Sequence, residues 1–166
     1  MRSIARAAVC ALAVAASAVA AAQEVKRGAH DASVQRGRYL AIIGGCNDCH
    51  TEGYPQKAGK VPEAEWLTGN REGFKGPWGT TYPANLRLAV QDMSEAEWMK
   101  HARKPTRPPM PWFNVRDMTD QDVRAIYRYI KSLGPGGKPA PAYVPPGQAP
   151  TTPYIDFGPS APPGKQ

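Results

Sequence analysis

Cys46-Asn47-Asp48-Cys49-His50 is the stretch on which the reading of this chain turns. Two cysteines separated by two residues, with a histidine directly after the second, match the attachment site of a c-type haem. In that pattern the Cys46 and Cys49 thiols add across the two vinyl groups of the porphyrin. His50 then lies beneath the ring, where a neutral imidazole nitrogen can bind iron. Other uses of Cys-x-x-Cys fit less well. A redox dithiol needs a strand and a βαβ context, whereas the residues before Cys46 read as a helix. A structural zinc or iron-sulfur site needs about four ligands. Beyond the leader only two cysteines remain, and His30 and His101 are not at zinc-finger spacing.

Moving outward, the N-terminus carries Arg2 and Arg6, a small-residue apolar run from Ala7 to Ala20, and Ala20-Ala21-Ala22 before Gln23-Glu24. This is the pattern of a secretory signal peptide over residues 1–22, cleaved after Ala22. The run is too short and alanine-rich for a convincing membrane span, and no second candidate follows. An exported, periplasmic protein is the expectation. The formal charge is +7, and removal of Arg2 and Arg6 leaves 19 basic against 14 acidic residues, or +5. That balance favours an acidic protein partner. Scattered basic residues and export argue against nucleic acid.

Asp31 or Ser33 can cap a helix running to Ile43, with Val34, Leu40 and Ile43 as an apolar stripe and Gly44-Gly45 as its end. Gly37 on the same face calls for the close approach of another helix, with Tyr39 a candidate for that contact. Residues 51–87 read as a long glycine- and proline-rich loop, with one helical turn near Pro62–Leu67. Loops of that length need something to hold them. Trp66, Trp78 and Tyr82 are candidates to cover a haem edge, and Arg71 and Arg87 to pair with a propionate.

Ser94-x-x-Glu97 is a capping box, with Met93 and Trp98 as its hydrophobic staple, and predicts a helix from Glu95 to about Arg103. In Arg107-Pro108-Pro109-Met110-Pro111-Trp112, prolines on both sides restrict the backbone around Met110. A rigid loop of that kind can present a soft thioether to iron. Met110 is therefore the preferred distal ligand, ahead of Met118 and His101, and Trp112 is a candidate haem contact. Thr119 caps the last helix, on which Val123, Ile126, Ile130 and Leu133 share a stripe with Tyr129. Gly134-Pro135 stops it. Ten prolines from residue 135 onward are too many for a helix or a paired strand. This extension, residues 135–166, either wraps over its own domain of residues 23–134 or docks on a partner.

Taken together, these residues resemble the class I cytochrome c family over roughly Val34 to Leu133. Ala84-Asn85-Leu86, Met110-Pro111-Trp112 and the segment from Met118 to Leu133 are more narrowly similar to the cytochrome subunits of periplasmic alcohol and aldehyde dehydrogenases. The resemblance implies an all-α fold of few helices and long loops around one covalent haem. It also implies thioether links at Cys46 and Cys49, axial ligands His50 and Met110, and Tyr129 packed near Gly37 and Tyr39. Arg87-Leu88 and Thr51-Glu52 depart from that subfamily, as does the single haem motif. The implied function is a respiratory electron carrier passing single electrons between an oxidoreductase, such as a periplasmic dehydrogenase, and an acceptor such as a terminal oxidase. The alternative is a haem enzyme or gas sensor with an open distal position, for which His101 is the available acid or base.

Overall fold

The computed structural model describes residues 2–158, with side-chain surroundings given from residue 19 onward. The first helix, α1 (Arg2–Ile43), is 42 residues long. Capping at Asp31 or Ser33 is thus not observed, because nothing in the alanine-rich sequence before it breaks the helix. The side chains on which the leader expectation chiefly rests lie outside the described residues. From Val19 to Ala32 every side chain is exposed, and burial begins only near Ser33. Among the described residues no helix is long and apolar enough to cross a membrane.

The buried end of α1 crosses α6 (Asp120–Ser132), the most extensive pairing of elements in the molecule. Gly37 makes the crossing possible: a Cβ there would fall 2.0 Å from the Ala125 carbonyl oxygen and 2.7 Å from Tyr129 Cβ. The predicted contact of Gly37 with Tyr129 is present, but Tyr39 is exposed beneath the Arg36 guanidinium. Ile43 is likewise exposed, so Leu40 and Ala41 supply the buried face. On α6, Val123, Ile126 and Ile130 are buried at helical spacing, and each contributes about 1.5–3 kcal/mol of burial at most. Thr119 caps α6 through the Asp122 amide, at 3.1 Å.

Between the two helices lie the short α2 (Cys46–His50), a 3₁₀ turn at Glu63–Glu65, α3 (Leu86–Ala89), α4 (Glu95–His101) and α5 (Trp112–Asp117). Helix α4 opens with the expected reciprocal Ser94 and Glu97 capping box. Met93 packs against the core cluster to which buried Trp98 belongs. Helix α5 has no counterpart in the sequence reading. The all-α expectation also needs correction, because β1 (Gly73–Gly76), β2 (Gly79–Thr81) and β3 (Tyr154–Asp156) form a small sheet ordered β2-β1-β3. Strand β1 pairs antiparallel with β2 and parallel with β3.

Strand β3 lies in the proline-rich extension, which corrects the expectation that the extension holds no paired strand: Tyr154, Ile155 and Asp156 include no proline, so their amides are free to pair, and the segment packs on its own chain. Val144 also pairs with Thr80, and the Asn85 side chain bonds the Gly136 and Lys138 carbonyls. The long loop is held from within as well as from its ends. Val61, Trp66 and Leu67 are buried, and the Trp66 indole donates to the Val61 carbonyl at 2.8 Å.

Candidate cofactor site

Gly45, with φ 69°, turns the chain out of α1 and starts α2. That turn brings Cys46, Cys49 and His50 onto one short helix. The Thr51 hydroxyl accepts the Leu67 amide and donates to Asn47 Oδ1, while the His50 carbonyl accepts the Gly69 amide. The backbone around His50 is therefore fixed on both sides.

His50 is 9% exposed, and its Nδ1 lies 2.7 Å from the Ala84 carbonyl oxygen. A carbonyl can only accept, so Nδ1 carries the proton and Nε2 keeps a free lone pair. Burial lowers the ring's pKa, opposed by the Ala84 bond, and the imidazole is neutral at neutral pH. Ala84 is held in turn by its neighbour: Asn85 caps α3 through the Leu88 amide and reaches into the extension with its amide nitrogen.

A cavity of about 260 Å³ opens on this histidine. Its lining is mainly apolar, with Phe74, Pro83, Ala84, Pro109 and Met110 joined by Cys49, Tyr82, Thr81, Arg107 and Tyr143. Met110 is the methionine that faces this space. Met118 packs against the core beside Gly44, Met99 is buried in the core, and His101 is exposed on α4. Cys46 is half-buried against the core, and burial pushes its thiol up to about 11. Burial and Asp48 raise Cys49 as well. Both sulfurs are therefore held as thiols at neutral pH.

Most of the remaining candidates lie away from the cavity. Arg87 is 7% exposed and donates to the carbonyls of Gly134, Leu133, Ala64 and Pro135. Its fork closes the C-terminal end of α6, which commits four of its five N–H donors to backbone carbonyls. Trp78 does not line the cavity; its indole bonds the Phe74 carbonyl at 3.3 Å. Trp112 lies outside the cavity under the Arg116 guanidinium. Trp66 belongs to the core and Arg71 is exposed, whereas Tyr82 lines the cavity and pairs with the Thr152 hydroxyl. The Ala84 carbonyl, Thr81, Arg107 and Tyr143 had no role in the sequence reading. A backbone acceptor has no side-chain signature, and the other three acquire theirs from segments distant in sequence.

A buried neutral imidazole with a free nitrogen, a cysteine and a thioether around one apolar space form a donor set suited to an iron tetrapyrrole. These features define a haem-protein site. Residues 34–134 match the family model for cytochrome c. The chain belongs to the cytochrome c family, whose cofactor is covalently attached haem c.

Among curated relatives, the chain is 29% identical over 125 residues to the fructose dehydrogenase cytochrome subunit of Gluconobacter japonicus, covering 68% of this chain and 24% of that one. It is 31% identical over 114 residues to the gluconate 2-dehydrogenase cytochrome c subunit of Pantoea cypripedii, covering 61% and 23%. It is 30% identical over 113 residues to the cytochrome c subunit of the quinone alcohol dehydrogenase of Gluconacetobacter polyoxogenes, covering 61% and 22%. The chain thus spans about a quarter of the length of each of these relatives. No solved structure matches it.

Proposed function

We propose that this chain is a periplasmic monohaem electron carrier, with residues 1–22 removed on export and Cys46 and Cys49 bonded to the haem. In this reading His50 and Met110 would hold its iron. The reading rests on one observation: the free nitrogen of His50 belongs to a residue lining the same cavity as Met110. When bound, the haem supplies one-electron cycling between ferrous and ferric iron. The chain's residues determine how readily that happens. The Ala84 carbonyl holds the His50 ring in one tautomer and strengthens it as a donor. The Met110 thioether favours the ferrous state, and the apolar lining disfavours added positive charge, so both raise the potential. The basic balance of the chain speeds encounter with an acidic partner, an effect that salt weakens.

The names of the relatives favour a dehydrogenase as electron donor and a carrier rather than an enzyme. A respiratory acceptor completes the chain of transfer. The open-site alternative needs an acid or base at the cavity, and His101 is exposed on α4 and absent from the lining.

The mature protein, produced where haem attachment occurs, should carry the mass of one covalent haem. Reduced wild-type protein should bind carbon monoxide slowly, and Met110→Ala should bind it roughly tenfold faster or more, because a bound thioether leaves only a minor open fraction. Equal rates in the two proteins would refute ligation by Met110.

A further inference from the structure

The Met110 segment has few attachments of its own. Among the described residues from Lys104 to Trp112, one hydrogen bond comes from a part of the chain distant in sequence: the Thr81 hydroxyl donates to the Pro108 carbonyl at 2.8 Å. The other attachment is the stacking of the Arg107 guanidinium 4.0 Å from the centre of the Tyr143 ring. Tyr143 comes from the proline-rich extension and lines the cavity together with Arg107, Thr81 and Met110.

Tyr143 is itself firmly anchored. Its hydroxyl donates to the Trp78 carbonyl at 2.7 Å, and Val144 exchanges backbone bonds of 2.8 and 3.0 Å with Thr80. Gly79 permits this approach, since a Cβ there would lie 2.4 Å from the Val144 carbonyl oxygen and 2.9 Å from the Tyr143 hydroxyl. Strand β2, with Trp78 in the turn before it, is thus the common anchor. On one side Thr81 holds Pro108, and on the other Trp78 and Thr80 hold the extension whose tyrosine grips Arg107.

We propose that Tyr143 is a positioning residue for the distal ligand: by clamping Arg107 against β2, the extension holds the Met110 loop at the cavity. This rests on the reading of Met110 as an iron ligand. A cation over an aromatic ring and a hydrogen bond to a carbonyl are each modest interactions. Acting on a segment with one other hydrogen bond from a distant part of the chain, they decide how often the thioether leaves.

The test uses holoprotein and three readouts: carbon monoxide association to the reduced form, the far-red thioether-to-iron band of the oxidised form, and the unfolding midpoint. Tyr143→Ala should accelerate carbon monoxide binding roughly tenfold and weaken the band. Tyr143→Phe, which keeps the stacked ring and loses the hydroxyl, should give roughly threefold. In a Met110→Ala background Tyr143→Ala should add nothing, since the two changes act through one ligand. If Tyr143→Ala fails to fold, Tyr143→Phe and Arg107→Gln carry the same comparison.

A Tyr143→Ala protein that matches wild type while Met110→Ala binds rapidly overturns the clamp and leaves the ligand assignment standing. Acceleration that persists in the Met110→Ala background also overturns it, because the extension would then be a steric cover. A Met110→Ala protein no faster than wild type removes the ligand reading and the clamp with it.

Discussion

His50 and Met110 line one cavity, yet His50 is 9% exposed and Met110 is 37% exposed. The histidine stands on a helix whose end is bonded to Leu67 and Gly69, with its ring bonded to Ala84. Behind it lie the α1–α6 crossing and the buried core. The methionine sits in a proline-bounded segment with one hydrogen bond from β2 and one stacked arginine. One wall takes its rigidity from dense packing and buried hydrogen bonds. The other depends on backbone restriction by proline and on a clamp from the extension. Damage to the first wall should therefore appear as lost stability, and damage to the second as lost ligation at nearly unchanged stability.

Gly37→Ala should break this contrast most severely. Its Cβ cannot fit against the Ala125 carbonyl without moving α1 off α6, at a cost of about 3 kcal/mol. Chemical denaturation should show a lowered midpoint, and an unchanged one would mean the crossing is soft.

Arg87→Ala comes next. It leaves four carbonyls around the end of α6 without their buried donor, and should cost about 2 kcal/mol. Arg87→Lys should recover only part, since an ammonium lacks the planar fork. If Arg87 served a propionate instead, the haem spectrum would change more than the midpoint.

The smallest effect sharpens the comparison through pH. Glu63 accepts from Arg38 at 3.0 Å and from the Tyr129 hydroxyl at 2.8 Å, tying the loop to both crossing helices. Arg38 first, and Tyr129 after it, hold its carboxyl below the usual range. A carboxylate depressed in the folded state stabilises above its unfolded value, near 4.3, and that contribution is lost as pH falls through the folded value. Between about pH 6 and pH 3 the wild-type midpoint should fall more steeply than that of Glu63→Gln. Parallel curves would show that the pair contributes nothing to the supporting wall.

The sequence by itself determined the cofactor motif, the Ser94 and Thr119 caps, the helical stripe of α6 and the need for a close contact at Gly37. Each is written within a few residues, because capping, helical periodicity and thiol spacing act over one or two turns. Tertiary structure decided which methionine reaches the cavity, with Met118 spent on the core and Met110 left facing the space. It also turned Arg87 from a propionate candidate into the cap of a helix end 46 residues away. The extension was settled the same way, as Tyr143 meets Arg107 and Trp78 only after β2 has formed. Such pairings have no local signature, since they depend on which distant backbone groups and side chains folding brings together, and proline-rich sequence leaves that choice to its surroundings.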